Sequence, residues 1–260
     1  MTKTMNIVSY GAGTNSTALL IEMINRGIPC DLITFADTGG ERPETYEYMR
    51  MFSDWIVSKG FPAIVYVKAK TPSKHMGLEQ FCIGHKTLPS IAFGYKKCSQ
   101  QFKGEPQDKY IKNHPMVKEI WAAGGKVNKF IGYDADEPHR ANRVLDEKIT
   151  AKFNMKYPLV EWNMGRDECI ESIKSAGLPL PGKSACFFCP SSKPREILEM
   201  AKTHPDLIKR ALALEENAKE SFTSIKGLGR NYSWKELIDS DNAQMKMFAS
   251  DIPCECYDGE

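Results

Sequence analysis

Side chains able to do chemistry fall into two groups: short polar residues around glycines near the amino terminus, and cysteines spread along the rest of the chain. From Ser9 to Thr17 the sequence reads SYGAGTNST. Gly11, Ala12 and Gly13 form a turn, and Thr14, Asn15, Ser16 and Thr17 follow where a helix should begin. Short oxygen-bearing side chains beside free backbone N–H groups at a helix start can bind an anion, phosphate above all. Ser9, Gly11, Gly13, Thr14, Asn15, Ser16 and Thr17 are therefore candidate phosphate contacts, with Asn15 and Ser16 placed closest to any reaction. No Gly-Lys-Ser/Thr follows the glycines, which excludes a Walker loop, and the GxGxxG spacing fails at Ser16. The plain alternative is a turn that only joins a strand to a helix.

A second polar group, Asp37-Thr38, ends an apolar run (DLITFADT). In an open parallel sheet ligands bind beyond the carboxyl ends of the strands, so this loop and the first should face one crevice. That arrangement suits a nucleotide. Asp37 and Thr38 would meet ribose or base, and main-chain groups around Phe35 the adenine edge; a helix cap is the other reading of Asp37. Asp134, Asp136 and Glu137 follow a later strand. Magnesium binding explains them, since Mg²⁺ takes one or two carboxylates plus phosphates, and capping of a helix from His139 to Leu145 explains them equally well. Arg140 and Arg143 reach either a phosphate or sulfate, or solvent.

The chain carries eight cysteines. Cys30 and Cys169 sit in apolar stretches and read as buried fillers, and Cys82 fits no single reading. Cys186-x-x-Cys189, in a loop bounded by Gly and Pro, can place two thiolates on one ion. A redox dithiol and a pair of inert thiols are the competing readings. Zinc held by four thiolates would be purely structural, and two ligands need distant partners, for which Cys254 and Cys256 are available.

These groups must be positioned by elements that alternate. Strands are expected at 7–10, 32–36, 63–67 and 129–133, with a last one within 149–162. Helices are expected at 16–26, 44–59, 107–113, 116–123 and 167–176. The order implies an α/β fold, a doubly wound, mostly parallel sheet. The irregular stretch from Lys70 to Lys97, with His75 and His85, reads as an excursion over the active-site mouth. Helices at 196–202, 205–220 and 233–240 form a C-terminal, cysteine-containing appendage. The division expected is a nucleotide-binding domain over 1–165 and a helical region over 166–260.

The residues also carry a resemblance. Gly11–Thr17 is similar to a relaxed pyrophosphate loop of the N-type ATP pyrophosphatases, with Asn15 where that motif has Asp. FADTGGERPETY (Phe35 to Tyr46) resembles the corresponding segment of the phosphoadenosine phosphosulfate (PAPS) reductase family. YPLVEW (Tyr157 to Trp162) resembles its P-L-x-x-W element, CFFCP (Cys186 to Pro190) its late cysteine pair, and Lys97-Cys98 with Lys103 and Pro106 the Cys-Cys…Lys…Pro stretch of its iron–sulfur members. The resemblance implies the adenine nucleotide alpha-hydrolase-like fold and an adenine nucleotide as ligand, either ATP or an adenylyl sulfate. It implies a [4Fe–4S] cluster, with Zn²⁺ as the alternative, on Cys98, Cys186, Cys189 and one of Cys254 or Cys256. It implies one of two reactions: adenylation of an acceptor with pyrophosphate release, followed by sulfur transfer, or thiol-dependent reduction of the adenylyl sulfate to sulfite. Cys256, in a Glu-Cys dipeptide, would be the nucleophile of the second, although Tyr257 replaces the family's glycine. A nucleic-acid acceptor is implied by related DNA phosphorothioation enzymes. A nucleotide-binding module without turnover is the non-enzymatic reading.

Composition sets the bounds. With 260 residues, 42% hydrophobic and 26% charged, the chain can bury one substantial core. A net charge of +2 neither requires nor excludes nucleic acid, and the lysines at 96, 97, 103 and 109 read first as a solvated face. No secretory or membrane-spanning segment is evident, so a cytoplasmic location and no membrane partner are expected.

Overall fold

The computed structural model describes residues 4–69, 77–142 and 147–250, with side chains through 243 in the last stretch. His75, Arg143, Cys254 and Cys256 lie outside the described residues. Five short runs form strands: β1 (Asn6–Tyr10), β2 (Leu32–Asp37), β3 (Ile64–Lys68), β4 (Val127–Ile131) and β5 (Phe153–Lys156). All pair in parallel, in the order β3-β2-β1-β4-β5. The chain steps outward from β1 to β3, then returns to add β4 on the other side of β1. The order therefore reverses at β1 and β4, the place beyond whose carboxyl ends open α/β sheets bind ligands.

Alternation along the strands feeds two cores. Val8 and Tyr10 of β1, with Ile33 and Phe35 of β2, pack into one. That core also takes residues from α1 (Thr14–Asn25), α2 (Pro43–Ser58) and a later helix at Arg166–Ser175. Ile7 and Leu32 point the other way, to Ile111, Val117 and Ile120. The latter come from α4 (Glu105–Asn113) and α5 (Pro115–Ala122), numbered after a short α3 (Leu78–Gly84). Helices on both faces of a five-stranded parallel sheet make this an α/β fold, as expected.

Two expectations change, and one is narrowed: the last strand, β5, lies within 149–162 as expected, and a helical turn, Pro158–Glu161, follows it directly. Pro158 lacks the N–H a strand interior needs and presets φ for a first helical position. Next, the chain packs as two compact units, Met1–Gly77 with Ser99–Cys186, and Leu78–Cys98 with Phe187–Glu260. The break falls after Cys186 rather than at 165/166, because Arg166–Ser175, here α6, packs its Cys169 and Ile173 into the core with α1. The stretch expected to cover an active-site mouth instead gives residues 78–98 to the second unit.

That second unit is helical, with α3, α7 (Pro194–Thr203), α8 (Pro205–Asn217) and α9 (Trp234–Ser250). Glu215 of α8, buried, accepts hydrogen bonds from the main-chain N–H groups of Leu228 (2.6 Å), Trp234 (3.0 Å) and Lys235 (3.3 Å). One carboxylate thus fastens the loop that leads into α9. Arg210 ties α8 to α3 through Glu79, with Nε to Oε1 at 3.0 Å, and stacks on the ring of Phe187.

The first unit depends on a close approach at the end of β4. A Cβ on Gly132 would stand 2.9 Å from Ser16 Cα, 3.0 Å from Ser16 N and 3.1 Å from the carbonyl carbon of Asn15, all main-chain atoms. Replacing Gly132 by Ala is expected to cost roughly 1–3 kcal/mol, the range for overpacking against atoms that cannot turn aside. Gly182→Ala, where an added Cβ meets nothing within 4 Å, serves as the control. Denaturant unfolding compares the two; equal midpoints would show that β4 and α1 are not held this closely.

Candidate functional site

The first loop leaves β1 through Gly11, Ala12 and Gly13, with Ala12 at φ 56°, an uncommon left-handed conformation for a residue with a Cβ. The turn delivers two main-chain N–H groups to one oxygen. Gly11 N donates to Ser16 Oγ at 3.2 Å and Gly13 N at 3.3 Å, while the same hydroxyl donates to Gly13 O at 3.1 Å. Ser16 thereby uses its full hydrogen-bonding capacity within the loop. The amides thus converge on the Ser16 hydroxyl, at the start of a twelve-residue helix with no acidic residue in its first turn, an end that favours an anion. Ser184 closes the outer side, donating to Gly11 O at 2.5 Å.

Asn15 points elsewhere. Its Nδ2 donates to Asp134 Oδ2 at 2.7 Å, and its Oδ1 accepts from Arg166 Nη1 at 2.9 Å. Asp134 follows β4 and is 4% exposed, and its Oδ1 is buried with no hydrogen-bond partner among the described residues. The acidic cluster read from the sequence is divided among three tasks. Asp134 faces Asn15. Asp136 Oδ2 accepts from the main-chain N–H of Arg166 at 2.8 Å and so caps α6, not a helix at 139–145. Glu137 pairs with Arg140 at 2.6 Å. Arg140 also lies over the Tyr133 ring, 4.2 Å from its centroid, and these contacts, not phosphate-loop atoms, are the partners of its guanidinium.

Other candidates settle differently. Thr17 is fully buried and its hydroxyl meets Tyr10 Oη at 3.1 Å, so it braces the core instead of facing a ligand. Thr14 is buried in the first turn of α1, and Ser9 Oγ is buried without a partner among the described residues. Phe35 is a core side chain inside β2, in register with Tyr10 on one side and Tyr66 on the other. Asp37 Oδ1 accepts from Gly39 N (2.8 Å) and Tyr46 Oη (2.7 Å), and Lys68 Nζ stands 3.2 Å from its Oδ2. Burial and this carboxylate push the Tyr46 phenol well above its usual range. Asp37 is thus a fully partnered loop anchor.

The second loop also holds a cysteine. Thr38 Oγ1 lies 3.2 Å from Cys186 Sγ and accepts from Gly40 N at 3.2 Å. Glu41 and Cys186 face each other in an isolated antiparallel bridge. Lys103 donates to Glu41 Oε1 at 3.1 Å, while Glu41 Oε2 is buried without a hydrogen-bond partner among the described residues. Cys186 belongs to the first unit, Cys98 and Cys189 to the second. Among the described residues no three His, Cys, Asp or Glu side chains gather into a group fit for a metal ion. Cys254 and Cys256, the other expected ligands, lie outside the described residues.

Sequence reasoning missed Arg166, Gly132, Ser184 and the Glu41–Lys103 pair. Only Gly165-Arg166, just beyond the P-L-x-x-W element, carried any signal, as a helix start. A cavity of about 720 Å³ lies at the β3 edge of the same unit, lined by Tyr66, Lys68, Lys109, Tyr110 and Asn113 among others. Lys68 lines it while holding Asp37, and no phosphate-loop residue does.

No family model matches the chain, and no curated protein matches it. Among solved structures, the U34-tRNA thiolase NcsA from Methanococcus maripaludis, with its [4Fe-4S] cluster, is similar at 14% identity and a TM-score of 0.45. The match covers 100% of this chain and 78% of that one. A likeness of that degree carries no argument about the chemistry of either site. Among the described residues, no helix is long and apolar enough to cross a membrane.

Burial pushes the thiols of Cys30 and Cys169 up to about 12, with the Asp31 and Asp134 carboxylates respectively adding to the effect. Both are neutral at pH 8, and the thiolate is the form that alkylates. Iodoacetamide at pH 8 is expected to leave both unmodified in the native protein while labelling them after denaturation. Peptide mapping that found either labelled at its denatured rate would contradict the packing described for it.

Proposed function

We propose that the chain is an ATP-using enzyme that adenylates an acceptor, releases pyrophosphate and so prepares the acceptor for sulfur transfer. The observation that carries this is the convergence of the Gly11 and Gly13 amides on the Ser16 hydroxyl at a helix start, next to Asn15, which Asp134 holds, where the strand order reverses. Phosphates belong on the first loop, where a phosphate oxygen takes over the Gly11 and Gly13 amides and the Ser16 hydroxyl from their bonds to one another. The second loop, shaped by Asp37 and Thr38, borders the nucleoside. The resemblance of Gly11–Thr17 to a pyrophosphate loop supports cleavage between the α and β phosphates.

In that reaction the acceptor oxygen forms a bond to the α phosphorus. The bond from that phosphorus to the β-phosphate oxygen breaks, and its electron pair leaves with pyrophosphate. A sulfur nucleophile then bonds to the activated acceptor carbon, and AMP departs with the oxygen. The loop amides stabilise charge where it grows, on the departing pyrophosphate. Asp134, whose Oδ1 is without a partner among the described residues, fits a magnesium ion. When bound, magnesium would supply charge neutralisation on the phosphates. Asp134 otherwise holds the Asn15 amide in one orientation.

Calorimetry with ATP and magnesium, followed by assay of pyrophosphate, tests the reading. Ser16→Ala is expected to weaken ATP binding about 10- to 100-fold, the range for one hydrogen bond to a charged group, and to lower the unfolding midpoint modestly because the loop loses its bonds to the hydroxyl. If the wild-type protein binds no adenine nucleotide, the function is wrong. If it binds ATP yet never yields pyrophosphate in the presence of candidate acceptors, the chain is a binding module. Sulfite released from adenylyl sulfate with a thiol would assign reduction instead.

A further inference from the structure

We propose that Arg166 is the cationic side chain that grips the nucleotide's phosphate chain, an inference that rests on the nucleotide reading of the crevice. The phosphate loop, Ser9 to Thr17, contains no Lys or Arg. A helix start contributes only about half a positive charge, against several negative charges on a di- or triphosphate. The carboxylates of Asp134 and Asp136 stand at the same strand end and oppose an anion. A cation is needed there, and Arg166 stands in the right place. Its Nη1 is 2.9 Å from Asn15 Oδ1, one residue from the Ser16 hydroxyl on which the loop amides converge.

Three features hold it there. Its main-chain N–H is capped by Asp136 at 2.8 Å, which fixes the first turn of α6. The preceding Gly165 has no space for a Cβ, since one would lie 2.9 Å from Asp136 Oδ2. Asn15 is itself oriented by Asp134, whose other oxygen is unpartnered among the described residues though the residue is 4% exposed. The guanidinium is exposed, and among the described residues Asn15 takes only one of its five N–H donors. The remaining donors keep the planar fork that matches two oxygens of a phosphate. The bond to neutral Asn15 is weaker than one to a phosphate oxyanion, so Arg166 can exchange the first for the second.

Binding of inorganic pyrophosphate, ATP and adenosine to the full chain, by calorimetry, separates the possibilities. Arg166→Ala is expected to weaken pyrophosphate and ATP about 10- to 100-fold, the range for losing charge-assisted hydrogen bonds, with adenosine unchanged. Arg166→Lys should recover part of the loss, because it keeps the charge and lacks the fork. Asn15→Ala, which frees Arg166 from its resting partner, should cost far less than Arg166→Ala. Two results overturn the proposal while leaving the nucleotide reading intact. One is unchanged pyrophosphate affinity in Arg166→Ala when Ser16→Ala loses it. The other is equal losses in Asn15→Ala and Arg166→Ala with no rescue by Lys, which would make Arg166 only a support for Asn15. Failure of the wild-type protein to bind ATP or pyrophosphate overturns both.

Discussion

The amide of Asn15 and the carboxylate of Asp134 meet at 2.7 Å across the gap between β1 and β4, and the arrangement of the crevice depends on that contact. It requires the end of β4 to approach the first turn of α1 more closely than any side chain would allow, which Gly132 permits. It also requires residue 15 to be neutral. Two carboxylates at this distance would not both remain ionised, since like charges so close raise one pKa strongly. Asn in place of the motif's Asp therefore does more than remove a ligand. It lets Asp134 be the one acidic side chain in contact with residue 15, and it leaves the amide oxygen to receive Arg166.

Two aspartates at strand ends show how the surroundings set a role. Asp37 has a main-chain N–H, a phenol and an ammonium group on its two oxygens. Its charge is balanced by these partners, and reaching a ribose would mean breaking bonds that hold its own loop. Asp134 has one donor on one oxygen and, among the described residues, nothing on the other. A buried, half-satisfied carboxylate is expensive unless something else completes it. By this criterion Asp134 is the ligand-directed residue and Asp37 the fastener of its own loop.

Much of the framework was legible in the sequence because it follows from periodicity. Ile7–Tyr10, Leu32–Ala36 and Lys129–Tyr133 read as buried parallel strands, and the helices between them by their caps and apolar spacing. The glycine-bearing turn was legible too. What escaped were directions and distances. Successive helical residues point about 100° apart, so in one short run Ser16 returns to the loop, Asn15 crosses to β4 and Thr17 enters the core. Composition alone treats the three as equivalent. Arg166 was invisible for a different reason: it lies 151 positions beyond Asn15 in the chain, and nothing in its neighbourhood marks it except a helix start.

The cysteines show the limit of spacing as evidence. Cys186 and Cys189 are three positions apart, and their spacing suits a shared ion. Spacing says nothing, however, of what else each thiol touches. Cys186 has local commitments of its own: its main chain pairs with Glu41 and its sulfur meets Thr38, both in the loop that follows β2. Its burial and these partners tie its role first to the shape of that loop. The nucleotide reading stands on Gly11, Gly13, Ser16 and Asp134 and does not depend on the cysteines. The two questions are therefore physically separable, and each can be tested without the other.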